Sequence, residues 1–117
     1  MSTSPSSSLR MIILILALAT GLIHLVLGFG DLSSSFGIIF ILNGLGYLGL
    51  AAAGYLDIAA LSSLRQLARL ALIGFTLLTI VLYFVINPDP FGSVFGLITK
   101  VIELALVVAL VVDRRSA

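Results

Sequence analysis

The chain has 117 residues, of which 61% are hydrophobic and 9% charged, with a formal net charge of +1 and no cysteine. One domain at most fits that length, and so much apolar surface cannot be hidden in a soluble fold, where about 25% of residues are charged. A few scattered arginines argue against a nucleic-acid partner, which needs clustered Lys or Arg to release counterions, and without cysteines there is neither a disulfide framework nor a thiolate metal site.

Residues 1–10 read as a disordered N-terminal tail, because Met1 to Ser8 are mostly Ser, Thr and Pro with almost nothing to bury. The apolar run 11–29, interrupted only by Thr20 and His24, is close to the roughly 20 residues that cross a hydrocarbon core. A cleaved secretory signal ending at Ala17-Leu18-Ala19 is the rival reading, but the run continues past that site to Phe29. Gly30 to Ser35 is a turn-rich connector, and residues 36–56 form a second span. A connector follows in which Ser62-Ser63 offers a helix N-cap. The third span, 67–86, stops at Asn87-Pro88-Asp89-Pro90, where two prolines remove donors and restrict their predecessors. The fourth, 91–112, gives way to a C-terminal tail, 113–117. The expected fold is therefore all-α, an integral membrane four-helix transmembrane bundle occupying residues 11–112.

Lys and Arg collect in short cytoplasmic loops. Arg10, Arg65, Arg69, Arg114 and Arg115 fall on one side of the four spans, and Asp31 and Asp89 are the only charges in the opposite loops. Both termini are thus expected in the cytoplasm, in a multi-pass protein of the cell membrane. Phe29, Phe36, Phe40, Phe84, Phe91, Phe95 and Tyr83 gather at the outer ends of the spans, as an interfacial belt would. Aligning the halves at an offset of 59 pairs Arg10 with Arg69, Thr20 with Thr79 and His24 with Tyr83. That suggests a 2+2 parallel internal repeat, an arrangement known among transporters, against chance alignment of two apolar hairpins of equal length.

Lys100 and Glu103 are the only charges deep inside a span, Arg69 lying at the cytoplasmic edge of the third. At 1.5 Å per residue they lie roughly 12 and 16 Å deep, His24 and Asn43 roughly 9 Å, Thr79 roughly 12 Å and Tyr83 roughly 6 Å. His24, Asn43, Thr79, Tyr83, Lys100 and Glu103 thus form one polar layer in the outer half of the membrane. Lys100 and Glu103 share a helical face at i,i+3, and because side chains tilt towards the helix N-terminus the glutamate is aimed at the lysine. Helical spacing puts Ala17, Gly21 and Gly28 on the His24 face, Gly46, Gly49 and Ala53 on the Asn43 face, and Gly96 on the Lys100 face, as small residues for close helix packing.

Each polar group has a plain structural reading. Lys100 with Glu103 makes a neutralised pair that holds helices together, although intramembrane ionisable residues are functional candidates by default. His24 serves as a hydrogen-bonding core residue or as a proton relay. Asn43, Thr79 and Tyr83 make interhelical hydrogen bonds, worth about 0.6 kcal/mol on average. One histidine cannot supply both axial ligands of a haem within one chain, which leaves pairing of His24 between protomers or a single-ligand pigment as the alternatives to the expectation of no cofactor and no metal. There is no P-loop, G-x-S-x-G or H-E-x-x-H motif, so the chain is read as no enzyme.

The patterns Gly21-x-x-His24-x-x-x-Gly28, Asn43-Gly44-Leu45-Gly46-Tyr47-Leu48-Gly49 and Lys100-x-x-Glu103 resemble small uncharacterised four-span proteins of prokaryotes, in the loose neighbourhood of DoxX-like proteins. The resemblance implies a four-helix membrane fold and carries no activity to transfer. The first functional expectation is a non-catalytic structural or accessory subunit, in a homo-oligomer or with other membrane subunits, partnered by the lipid bilayer. The alternative is a proton- or cation-coupled small-solute transporter or channel in which Glu103 titrates, Lys100 is its charge partner and His24 relays protons.

Overall fold

The structure, a computed structural model, describes residues 6–116. It consists of α1 (Ser7–Phe29), α2 (Ser35–Tyr55), a short 3₁₀ segment (Ala59–Leu64), α3 (Arg65–Ile86) and α4 (Val94–Ser116). Four helices are long and apolar enough to cross a membrane, and the chain is a small four-span, multi-pass membrane protein.

Local hydrogen bonding explains where the helix ends depart from expectation. α1 starts at Ser7 because the Ser6 hydroxyl accepts from the Leu9 amide and caps it, so the ordered chain reaches into the segment read as a tail; residues 1–5 of that tail lie outside the described residues. Ser62 and Ser63 fall within the 3₁₀ segment, and α3 begins at Arg65 with no side-chain cap. Asn87 Oδ1 accepts from the Asp89 amide in the proline-rich connector, and the Ser93 hydroxyl accepts from the Gly96 amide as α4 starts. Phe91 and Gly92 are therefore turn rather than helix, and α4 continues through Asp113, Arg114 and Arg115, which had been expected in a tail.

Two glycine pairs set the approach of α1 to α2. A Cβ at Gly44 would stand 2.7 Å from the Gly21 carbonyl oxygen, and one at Gly28 would stand 2.6 Å from that of Gly37. Gly21 and Gly28 are two turns apart on α1, as are Gly37 and Gly44 on α2, so an antiparallel pair repeats the same backbone contact. Gly37 and Gly44 were absent from the packing stripe read in the sequence. Of the residues that were in it, Ala17 is fully buried, Gly46 lies against the Phe75 ring, and Gly96 lies against the Tyr83 hydroxyl. Ala53 is half-buried. Gly49 is exposed, with nothing near its Cβ position.

Gly49→Ala should accordingly raise stability by up to about 1 kcal/mol, since alanine is the better helix former. Thermal unfolding in detergent followed by circular dichroism checks this, and a fall of several degrees would place Gly49 back in a packed interface.

Ile13, Ala17, Tyr47, Ala51, Tyr55, Leu72, Leu106 and Leu110 form the core. Outward faces carry exposed Leu18, Val26, Leu42, Leu78, Val85, Val101 and Val108, which suits a solvent as apolar as lipid tails. The helix ends of the two hairpins keep the 59-residue offset to within two residues. Their packing does not: the positions matching Gly21 and Gly44 are Ile80 and Glu103, and those matching Gly28 and Gly37 are Asn87 and Gly96.

Candidate functional site

Glu103 is the point at which the four helices meet. It is fully buried, and its carboxylate accepts from Thr20 Oγ1 of α1 at 2.9 Å, Tyr47 Oη of α2 at 3.1 Å and Lys100 Nζ one turn back on α4. Tyr47 is held in turn by the Phe75 ring of α3, edge-on at 4.9 Å between centroids. A carboxylate out of water needs its lone pairs satisfied, and α1, α2 and α4 supply the donors while α3 buttresses one of them.

His24 approaches the same carboxylate from α1. Its Nδ1 lies 2.8 Å from the Thr20 carbonyl oxygen, which can only accept, so Nδ1 carries the hydrogen. In the neutral ring Nε2 is then the bare nitrogen, and it faces Glu103 Oε2 at 3.9 Å. Protonation there would turn an acceptor facing an acceptor into an imidazolium facing a carboxylate. The ring is also in contact with Phe40 and Tyr47.

Asn43 and Thr79 join α2 to α3. The Thr79 hydroxyl donates to the Phe75 carbonyl, which commits its only proton, so it must accept from the Asn43 amide at 3.1 Å. That fixes the amide orientation and leaves Asn43 Oδ1 buried without a hydrogen-bond partner among the described residues. Tyr83 donates to the Pro90 carbonyl at 2.6 Å, tying α3 to the connector before α4, and its ring lies under the Lys100 ammonium at 4.8 Å.

These side chains surround a cleft of about 400 Å³ that enters from the end bearing the α1–α2 and α3–α4 connectors. Phe36, Ile39, Phe40, Leu82 and Ile86 make apolar walls, and His24, Asn43, Thr79, Tyr83 and Lys100 line the deeper part. Five of the six residues placed in a polar layer by depth counting thus border one space. Glu103 does not: it sits behind His24 and Lys100. Among the described residues no group of three His, Cys, Asp or Glu side chains gathers to hold a metal.

Thr20 and Tyr47, both direct donors to Glu103, were not singled out in the sequence reading. Helical spacing signals both, since Thr20 precedes His24 by four residues and Tyr47 follows Asn43 by four. A second polar cluster, at the opposite end, was also missed. Tyr55 Oη donates to Asp113 Oδ2 at 2.6 Å, Arg69 Nε donates to the Gly54 carbonyl at 2.7 Å, and the Arg69 guanidinium lies 4.6 Å over the Tyr55 ring. Assigning Asp113 to a tail hid it, although Glu103, Leu106, Leu110 and Asp113 follow one another on a single helical stripe, all of it buried.

The family model described as "Family of unknown function (DUF7475)" matches residues 1–112, and the chain belongs to that family. No curated protein and no solved structure matches it.

Proposed function

Starting from a four-span member of a family without an assigned activity, we propose that the protein is a non-catalytic, proton- or cation-coupled carrier or channel for a small solute, with the outer cleft as its entrance. Glu103 is the titrating group, Lys100 its charge partner and His24 the relay. The observation that carries this reading is that the cleft ends on His24 and Lys100, the two basic neighbours of a carboxylate that has no surface of its own. His24 supports the relay role because its Nδ1 is occupied by a backbone carbonyl while Nε2 is turned to Glu103. Below Glu103 the way is shut by Ile13, Leu72 and Leu106, so passage requires the helices to shift.

The arginines at the end remote from the cleft support an orientation in the cell membrane with both termini in the cytoplasm and the cleft outside. A homo-oligomer suits the exposed apolar faces, which serve a second copy as well as lipid. The accessory-subunit reading draws support from one specific feature: Glu103 is satisfied from three helices at once, as a clasp would be. The likeness to DoxX-like proteins adds no activity to either.

Proteoliposomes with a trapped pH dye separate the two. The parent protein is expected to speed the collapse of an imposed pH gradient, and Lys100→Met/Glu103→Gln, which removes both charges and keeps an acceptor for Thr20 and Tyr47, should fall to the protein-free rate. Equal flux from that variant removes Glu103 from the mechanism. No flux from the parent leaves the clasp, and the protein is then a structural subunit.

A further inference from the structure

The second polar cluster borders a cleft of about 290 Å³ at the end opposite the Glu103 site, between the last turns of α2 and α4 and the first turns of α3. We propose that this cleft binds a phosphate oxyanion, with Arg69 as the fork that grips it and Arg114 as the second cation. The proposal stands independently of the proton-coupled reading.

Arg69 carries the argument. Its side chain is 11% exposed, so the guanidinium is mostly out of water, yet among the described residues its hydrogen bond is the one from Nε to the Gly54 carbonyl. Nη1 is 4.0 Å from Asp113 Oδ2, beyond hydrogen-bond length, and that carboxylate oxygen already accepts from Tyr55. The Tyr55 ring under the guanidinium and the Gly54 carbonyl hold the plane still where Arg69 lines the cleft. A fixed planar fork with unspent N–H groups matches the paired oxygens of phosphate, which a point charge such as lysine does not.

Arg114 lines the same cleft, so with Asp113 counted against the two arginines the lining keeps a surplus of one positive charge. Ile73 and Leu110 make the apolar part of the wall, and the cleft lies at the helix ends, the level of lipid headgroups. Basic pockets between transmembrane helices on the cytoplasmic side are where headgroups with extra negative charge settle. The phosphate arrives either on an anionic phospholipid or free in solution.

The test is thermal unfolding of the purified full chain in uncharged detergent, with dioleoylphosphatidylglycerol, dioleoylphosphatidylcholine or inorganic phosphate added, the last against chloride at equal ionic strength. Phosphatidylglycerol is expected to raise the melting temperature more than phosphatidylcholine. The rise should be at least halved in Arg114→Gln and lost in Arg69→Lys, which keeps the charge and removes the fork. Arg114 is exposed and its loss does not threaten the fold, so that variant remains informative if Arg69→Lys folds poorly. A rise with phosphatidylglycerol and none with inorganic phosphate assigns the site to lipid; a rise with inorganic phosphate that Arg114→Gln reduces assigns it to the free anion. No rise with either, or one equal for both lipids and unchanged in Arg114→Gln, overturns the proposal.

Discussion

Glu103→Gln is expected to lower the stability of the bundle by about 3 kcal/mol, and adding Lys100→Met to recover most of that loss. Glutamine keeps a carbonyl oxygen where Thr20 and Tyr47 donate, so the shape of the site and two of its three hydrogen bonds survive. What goes is the negative charge beside a lysine that is itself 5% exposed, and the glutamine amide would present donors to an ammonium that has only donors. Removing one member of a buried ion pair strands the other and costs about 3–5 kcal/mol, whereas replacing both by uncharged groups of similar size is often neutral. Contact of Lys100 with the outer cleft allows its ammonium some hydration, which holds the estimate to the lower end of that range. Thermal unfolding of parent, both single variants and the double variant in detergent gives the coupling directly. If Glu103→Gln melts with the parent, or the double variant melts no higher than Glu103→Gln, the pair is not what holds α4 in place.

Depth counting, tilt and face assignment brought six polar residues to one level because the membrane makes polar residues costly. Inside an apolar span each of His24, Asn43, Thr79, Tyr83, Lys100 and Glu103 needs a partner, and they find it in one another, in Thr20 and Tyr47, or in backbone carbonyls. The same logic fails at the ends of the spans, where water relaxes the demand. Asp113 looked like a solvated tail residue, and only the continuation of α4 through Arg115 turns it inward to Tyr55. The ends themselves depended on hydroxyls that cap, Ser6 and Ser93, and serines are too common at these boundaries for the pattern to choose among them. Glycines were hardest to assign. α2 carries Gly37, Gly44, Gly46, Gly49 and Gly54, enough to draw a small-residue stripe on more than one face, and which face meets α1 depends on a neighbour that periodicity does not name.

That neighbour leads to a graded effect that reaches the site. Gly28→Ala and Gly44→Ala are each expected to cost about 1–3 kcal/mol, the range for forcing an extra methyl into a packed interior, with Gly21→Ala milder. The order follows from what each new Cβ would meet. At Gly28 the neighbours are the Gly37 carbonyl oxygen at 2.6 Å and the Ile41 amide nitrogen at 2.9 Å, and at Gly44 the Gly21 carbonyl oxygen at 2.7 Å; backbone atoms cannot swing aside, so α1 and α2 must part. At Gly21 the nearest atoms are the end of the Leu48 side chain at 3.0 Å, which has other rotamers. His24 lies between Gly21 and Gly28 on the same helix, so parting α1 from α2 also carries Thr20 and His24 away from Glu103. A shift of a few tenths of an ångström stretches the 2.9 Å bond from Thr20 to the carboxylate and opens the 3.9 Å gap to His24 further. Gly28→Ala should therefore both melt earlier than the parent and slow the collapse of a pH gradient in proteoliposomes under conditions where it is still folded. A variant that melts earlier with undiminished flux would separate the glycine contact from the site and leave α1 free to move without consequence for Glu103.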